Sequence, residues 1–281
     1  MSEPIEQKIQ GRLKKNGFPL EMAVASVAKA TGFDVSQSDY YIDHDTNEPR
    51  EIDLILSANK FIDGFNVSYN LLIECKSSKE KPWIIFGEKN LGHQKNNNDI
   101  ANIFHLHSSH ITNDLGDTLL MQTVYGQDVG RIYPRINSEG HIGHGMAQAF
   151  SEACDAPFKA MMSASKAALY KTSRDSALVL SVPIILSIPV IVIDVPLFLA
   201  SFSETSKDVE LSEIKRGVIH WKHVVGGRSR IGIYIVTKDE LSSFLHDCFE
   251  SAKWWINTDT ETLMAIRNSK RSPDEVKRSP G

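Results

Sequence analysis

The chain has 281 residues, a formal net charge of −4, 41% hydrophobic residues and 23% charged residues. These values are typical of a soluble globular protein, and they exclude a chain that binds nucleic acid through an overall basic character, so any such surface must be a local patch. Three cysteines far apart in sequence, Cys75, Cys154 and Cys248, argue against a disulfide framework and a structural zinc site. The N-terminus lacks the apolar core of a signal peptide, and the sequence therefore predicts a cytoplasmic protein.

The first part of the chain is predicted to contain an N-terminal arm, a helix and three strands. Residues 1–17 form the arm, and 20–31 (LEMAVASVAKAT) has a helix-forming composition that Gly32 ends. Alternating apolar residues between turn residues predict strands at 33–42, 50–57 and 70–76, with a further extended piece at 81–86.

The second part is predicted to contain an insertion, a helix and several strands. The insertion covers about 88–145, with one or two short helices, and Ala- and Met-rich residues 146–172 predict a helix that Pro157 breaks or kinks. The elements predicted after it are buried strands at 178–199, a hairpin of 219–225 with 231–237, a helix at 239–256 and a disordered tail at 267–281. This order predicts one domain over 18–266, an α/β sandwich with helices on both faces of a mixed sheet.

Residues 178–200 form an apolar run that is long enough to cross a bilayer. Pro183, Pro189 and Pro196 divide the run into short pieces rich in Val and Ile, and Asp194 would be costly in lipid. We therefore interpret the run as buried strands joined by bends, with a membrane span as the alternative.

The stretch YNLLIECKSS, residues 69–78, ends an apolar strand with two opposite charges. Because successive side chains of a strand point to opposite faces, Glu74 and Lys76 share one face and Cys75 takes the other, in the core. Pairing with the preceding strand as an antiparallel hairpin would bring Asp53 close to Glu74. Alternation in that preceding strand is predicted to place Ile52, Leu54 and Leu56 on one face and Glu51, Asp53 and Ile55 on the other.

Two close carboxylates repel each other unless they are protonated or bind a cation. Mg²⁺ takes oxygen ligands, lowers the pKa of a bound water and polarises a phosphoryl oxygen. Lys76 beside such an ion would stabilise developing negative charge or orient a water. These residue types therefore make a workable hydrolytic site for a phosphodiester.

The two motifs REIDLIL and NLLIECKSS together resemble the PD-(D/E)XK nuclease superfamily, which has the restriction-endonuclease-like fold. In that superfamily an Asp on one strand precedes a Glu-x-Lys on the next, and Asp53, Glu74 and Lys76 match this pattern. The resemblance implies a mixed sheet with an αβββαβ core, here the helix at 20–31, the three strands, the helix at 146–172 and a strand at 188–195.

The resemblance also implies a site and a function. GFPLEMAVA supplies Glu21 as a further acid from the first helix, so the implied catalytic residues are Glu21, Asp53, Glu74 and Lys76. The implied metal ligands are the three acids and the backbone carbonyl of Cys75. The implied activity is that of a Mg²⁺-dependent nuclease, with Mn²⁺ as a substitute, that cuts nucleic acid, with DNA favoured, in prokaryotic repair or defence. A homodimer is one arrangement that fits duplex cleavage.

The chain departs from the superfamily pattern in two places. Ile52 stands where the name-giving proline would be, which is tolerated because proline is not a ligand. The long gap after the third strand leaves the residue of the second helix unplaced, and Gln148, Lys159 and Lys166 are the candidates. The resemblance covers 18–87 well and 146–200 loosely.

Plainer interpretations stand beside these functional ones. Glu21 also suits a helix first turn, where an acid complements the helix dipole, and Glu51 is predicted to be a surface residue. Asp39, Asp43 and Asp45 would help a second metal or, as we favour, end a strand and cap a turn. One residue of the pair Tyr40 and Tyr41 is predicted to be core.

Two further groups of residues have both a functional and a plain interpretation. The first is a His group, in which zinc binding is disfavoured: His105, His107, His110, His141 and His144. The second would contact phosphates or be surface residues: Lys76, Lys79, Lys81, Arg228 and Arg230 with Trp83 nearby. The alternative function is a binding module of the same fold that does not cut.

Overall fold

The computed structural model describes residues 4–15, 17–77, 81–88, 141–150, 155–175, 182–221, 231–261 and 263–264. Within these ranges the chain forms four α-helices, a short 3₁₀ helix at Lys238–Glu240 and ten strands in one mixed sheet. The helices are α1 Ile5–Lys15, α2 Phe18–Thr31, α3 Asp155–Asp175 and α4 Leu241–Ile256. The strands are β1 Asp34–Ile42, β2 Pro49–Ile62, β3 Phe65–Lys76, β4 Trp83–Glu88, β5 Ile142–Gln148, β6 Val182–Ile193, β7 Leu197–Ser203, β8 Asp208–Ile214, β9 Arg216–Trp221 and β10 Ile231–Thr237.

The sheet has the strand order β1-β2-β3-β6-β10-β9-β5-β4-β7-β8. β1, β2 and β3 form an antiparallel meander, whereas β6 runs parallel to both β3 and β10. The β2–β3 hairpin closes through Asp63 and Gly64, which both have positive φ, as the tightest hairpin turns require. The chain then returns to lie parallel to β3, and such a return needs a crossover that here includes α3.

Helices cover both faces of the meander and bury separate cores. On one face, α2 and α4 contribute Val24 and Phe244 to a core that also holds Leu54 and Cys75. On the other face, α3 packs against β1, β2 and β3 through small residues such as Ala167. The indole of Trp255 in α4 also donates a 3.1 Å hydrogen bond to the carbonyl of Ser68, which ties the last helix to β3. The third strand is therefore fixed from both faces and along both edges.

Most predicted elements are confirmed, with their ends moved by a few residues. The helical arm, the first helix, the first three strands, the extended piece, the β9–β10 hairpin and the last helix are present. The described part of the apolar run predicted at 178–200, which begins at residue 182, forms the strands β6 and β7. Among the described residues, none of the helices combines the length and apolar character that crossing a membrane requires.

The helix predicted at 146–172 was wrong at its start. Residues 142–148 form β5, and α3 begins only at Asp155. Gly143 explains why the start of this strand gave no pattern, because a Cβ at this position would overlap the side chain of Ile85 on β4, so only glycine fits there. Pro157 lies in the first turn of α3, where a proline is tolerated, and not in its interior. Most of the predicted insertion and the whole predicted tail lie outside the described residues.

Candidate catalytic site at the ends of β2 and β3

Asp53 and Glu74 lie directly beyond the last registered pair of the β2–β3 ladder, Leu54 with Ile73. On its other side β3 stays paired to its end, with Glu74 opposite Ile191 and Lys76 opposite Ile193. The two strands therefore separate at the position of the acids while β3 remains an inner strand. This opening gives the side chains room at the carboxyl end of β3.

Asp53 occupies an irregular position of β2. Its β1 counterpart would be Ser38, but the register passes from Gln37–Leu54 to Asp39–Ile52, and Ser38 has a φ of 51°. Across this irregularity the alternation of β2 breaks, because Ile52 packs in the same core as Ile55, whereas Leu54 packs on the other face. The prediction that Ile52 shares a face with Leu54 was therefore wrong.

The carboxylate of Asp53 is held by the backbone of the next strand. Its Oδ2 accepts a hydrogen bond of 2.6 Å from the N–H of Cys75. The thiol of Cys75 is buried in the core beneath α2 and α4, as predicted, and burial raises its pKa well above the usual thiol range. Cys75 thus meets the site through its main chain only.

Both carboxylate oxygens of Glu74 have a partner. Oε1 accepts a 2.5 Å hydrogen bond from the ammonium of Lys76, and Oε2 accepts one of 2.9 Å from the hydroxyl of Ser163 on α3. The shared face of Glu74 and Lys76 is confirmed by this contact. Tyr41 is buried between β1 and α3; burial raises its pKa, and the neighbouring side chain of Ser163 opposes that rise. Glu74 is therefore positioned from the sheet and from the helix at once.

The three acids, Glu21, Asp53 and Glu74, form what we call the acidic cluster. Burial, followed by the charges of Asp53 and Glu51, raises the pKa of Glu21, which lies in the first turn of α2. Burial raises the pKa of Asp53 more than the Cys75 N–H and the Lys76 charge lower it. Burial and the charge of Asp53 likewise raise the pKa of Glu74 despite its contact with Lys76. One ammonium therefore does not neutralise the acidic cluster.

Lys76 is the cation of the site and stays protonated. Burial alone would lower its pKa, but the carboxylates of Glu74 and Asp53 raise it above its usual range. A lysine in this setting serves as a fixed positive charge near neutral pH and not as a base.

The donors suit a hard cation in type, because the acidic cluster and the carbonyl of Cys75 offer oxygen atoms only. In the described part of the chain, however, no three His, Cys, Asp or Glu side chains lie together as a ready-made metal site. The three acids are near enough for their charges to affect one another, but their side chains do not converge as metal ligands, and Lys76 and the Cys75 N–H each engage one carboxylate oxygen. The metal ligands therefore stay a prediction.

A second lysine–carboxylate group lies nearby on the same face of the sheet. Lys166 of α3 contacts both oxygens of Asp43, at 2.8 and 2.9 Å, and Oδ2 of Asp45 at 2.6 Å. Asp43 also caps its turn, as predicted, by accepting the N–H of Asp45. Burial would raise the pKa of Asp43, but Lys166 and these backbone donors lower it below the usual range.

The three candidates for the residue of the second helix lie elsewhere. Lys166 is engaged by Asp43, Lys159 is exposed on α3, and Gln148 lies in β5, four strands away from β3. The helix residue that reaches Glu74 is Ser163, which the sequence did not reveal, because a single serine in MMSASKAAL carries no distinguishing pattern.

The remaining predicted residues divide between surface, core and undescribed segments. Tyr41 is core and Tyr40 is exposed, as expected for one of the pair, and Glu51 is exposed, also as expected. Trp83 is fully buried, which removes it from any substrate surface. His141 is buried and His144 is exposed. The predictions that lie outside the described residues concern Lys79, His105, His107, His110, Cys154, Arg228 and Arg230.

Comparison with protein-family models, with curated proteins and with solved structures gives no significant match. The nuclease interpretation therefore depends on the residues of the site and on their arrangement alone.

Proposed function

We propose that this protein is a Mg²⁺-dependent nuclease of restriction-endonuclease-like fold that hydrolyses phosphodiester bonds in DNA. The observation that carries the proposal is the acidic cluster beside Lys76. Its three acids come from α2, β2 and β3 and have a single ammonium, that of Lys76, among them; burial, with the charges of neighbouring acids, raises the pKa of each. Buried carboxylates near one another destabilise the folded protein. Such an arrangement is found more often at functional sites than at structural ones.

The order of elements around the site supports the proposal. α2, β1, β2, β3, α3 and β6 follow one another as helix, three antiparallel strands, helix and a strand parallel to the third. This is the αβββαβ order that the sequence resemblance implies, with β4 and β5 inserted before α3. The helices α2 and α3 cover opposite faces of the meander, so each can reach the acids from its own side.

The residues of the site have separate roles in the proposed reaction. Lys76 holds a positive charge on the face of Glu74, where it stabilises negative charge that develops on the phosphate. Ser163 holds Oε2 of Glu74, and the Cys75 N–H holds Oδ2 of Asp53. Glu21, Asp53, Glu74 and the Cys75 carbonyl would hold Mg²⁺. When bound, the ion supplies an activated water and charge neutralisation.

A binding module of the same fold that does not cut is the alternative. It would use the basic residues near the site and would have no need for the acidic cluster. Three acids at a surface that binds a polyanion would weaken the binding unless they held a cation. Their presence therefore favours cleavage over binding alone.

Plasmid nicking tests the proposal. Purified protein is expected to nick plasmid DNA with Mg²⁺ or Mn²⁺ and to lose at least about 100-fold of the rate in Asp53→Ala and in Lys76→Ala. Asp208→Ala and Lys253→Ala are matched controls, because both side chains are exposed and remote from the site. Nicking that survives both site variants would reject the site, and no nicking with either ion would favour the binding module.

A further inference from the structure

A cavity lies near the acidic cluster, at the same end of the sheet. In the register of the parallel strands, Lys76 on β3 is aligned with Ile193 on β6, and Ile193 is aligned with Thr237 on β10. Aligned residues of neighbouring strands point to the same face, and two strand spacings put Lys76 and Thr237 about 10 Å apart. The backbone N–H of Asp194, the residue after Ile193, donates a 3.1 Å hydrogen bond to the carbonyl of Lys76, so the turn that follows β6 lies directly beside the site.

This cavity, which we call the edge pocket, has a volume of about 200 Å³. That volume is below the range of drug-sized sites and suits one ring system. Its walls come from the turn after β6, from the β8–β9 turn and from the residues after β10. The lining residues are Ile193, Asp194, Val195, Pro196, Glu213, Lys215, Thr237, Lys238 and Asp239.

The polar groups of the edge pocket are poorly satisfied by one another. Thr237 is buried, and its hydroxyl has no hydrogen-bond partner among the described residues. The ion pair of Lys238 with Asp194 is 3.5 Å long, and Lys215 lies 3.6 Å from Asp239. Distances of this length are too great for good hydrogen bonds, so these groups retain capacity for a ligand.

The charges of the edge pocket exclude a simple anion site, because three carboxylates outnumber two ammonium groups. Side chains of these types, namely Asp or Glu, Lys and Thr, are instead those that read the edges of bases. We propose that the edge pocket binds a nucleobase of the substrate next to the scissile phosphate and so gives the enzyme a base preference. This inference rests on the proposed nuclease function.

The excess of carboxylates defines the preferred base. A carboxylate only accepts hydrogen bonds, so it favours cytosine, adenine or guanine, which carry an exocyclic amino group. Thymine lacks this group, and its one ring donor, N3–H, lies between two carbonyl oxygens that repel a carboxylate. We therefore expect thymine to be disfavoured at one position beside the cut, by at least about fivefold, which corresponds to the lower limit for one specific base contact.

Sequencing of cleavage ends tests the preference. Randomised DNA, in single-stranded and in duplex form, is cut by the Mg²⁺-loaded full chain, and base frequencies are counted around each cut. Asp194→Asn replaces an acceptor by a donor–acceptor group on an exposed turn, and Thr237→Val removes the hydroxyl with little change in shape. Thr260→Val, remote from the pocket, is the matched control.

Depletion of thymine at one flanking position that is relieved in Asp194→Asn and retained in Thr260→Val supports the edge pocket. If Thr237→Val does not fold, Asp194→Asn decides alone. Equal base frequencies at every flanking position, or a thymine depletion that Asp194→Asn leaves unchanged, would overturn the inference.

A second measurement separates this inference from the proposed function. Saturation-transfer NMR compares deoxycytidine with thymidine on the wild-type chain and on Asp194→Asn, without any cleavage. If no DNA is cut, the nuclease proposal fails, whereas a deoxycytidine signal that is lost in Asp194→Asn still supports the edge pocket. Equal signals for the two nucleosides, or none, would reject the edge pocket.

Discussion

Two lysine–carboxylate groups lie on the same face of the sheet, and the pKa of the buried carboxylate shifts in opposite directions in the two groups. Lys166 contacts Asp43 through both oxygens and also contacts Asp45, and the pKa of Asp43 falls below its usual range. Lys76 contacts Glu74, yet the pKa of Glu74 rises. In the first group, which we call the balanced group, the partners of Asp43 more than offset the cost of its burial; in the second, the unbalanced group, the partners of Glu74 do not.

The difference lies in what surrounds each lysine. Asp43 receives backbone N–H groups as well as Lys166, so its negative charge is well solvated by the protein. Glu74 is buried and has the charge of Asp53 nearby, and these effects exceed the help of Lys76 and Ser163. An ion pair alone therefore does not identify a structural role, and the net direction of the pKa shift separates the two groups.

The largest expected effect comes from removing the lysine of the balanced group. Lys166→Met leaves Asp43 buried without its partner, which costs about 3–5 kcal/mol of unfolding free energy. Urea denaturation measures the loss. Lys159→Met on the same helix is the control, because Lys159 is exposed. A cost below about 1 kcal/mol would show that the balanced group contributes little to the fold.

A smaller effect is expected from the hydroxyl that holds Glu74. Ser163→Ala removes a donor from a buried carboxylate, so the pKa of Glu74 rises further and the acid limb of the pH–rate profile moves to higher pH. The rate at neutral pH should fall about tenfold. Ser163→Thr retains a hydroxyl and should restore part of the rate. Ser165→Ala is the matched control, since that hydroxyl has no partner among the described residues. An unmoved acid limb would contradict the positioning role.

The unbalanced group should gain stability when one acid is neutralised. Because the pKa of Asp53 is raised, the folded chain binds the proton more tightly, so stability is lost as pH rises from the usual carboxyl range through the raised pKa. Asp53→Asn removes this loss and should add about 1 kcal/mol at pH 8 without metal. The gain should vanish below about pH 3.5, where the wild-type acid is protonated in both states.

Thermal unfolding with and without Mg²⁺ completes this comparison. Mg²⁺ should stabilise the wild-type chain more at pH 8 than at pH 5, because ionised ligands bind it, and should stabilise Asp53→Asn less. Equal Mg²⁺ effects on the two proteins would place the ion elsewhere.

The smallest expected effect comes from Glu51, an exposed residue whose charge acts on the acidic cluster. The charge of exposed Glu51 raises the pKa of both Glu21 and Asp53. Glu51→Gln should therefore lower both pKa values slightly and add a few tenths of a kcal/mol at pH 8 in low salt. Because salt screens exposed charges, the gain should disappear in about 1 M NaCl, and a gain that persists there would point to packing instead.

The sequence predicted the strands that carry the acids because their apolar patterns are strong and local. REIDLIL and NLLIECK are short apolar runs, and the Asp63–Gly64 turn joins them directly, so both their type and their pairing follow from nearby residues. The shared face of Glu74 and Lys76 followed from strand periodicity alone.

Features that depend on distant contacts could not be predicted. The strand β5 could not be recognised at Gly143, because the side chain of Ile85 fills the space that a side chain at 143 would need. The two residues are far apart in sequence and meet only because β4 pairs with β5. The irregularity opposite Ser38 moves Ile52 to the other core without any change in composition. Ser163 meets Glu74 only after α3 has packed on the sheet.

The inner position of β3 has a consequence for the order in which the candidate site is assembled during synthesis. Glu21, Asp53 and Glu74 leave the ribosome early, yet every residue from Phe65 to Lys76 is aligned with one of Val182–Ile193. At the usual rate of translation, on the order of ten seconds separate the two segments. During that interval the strand that carries Glu74 has one open edge in the nascent polypeptide, so the surroundings of the acidic cluster are complete only after the second half of the chain has emerged.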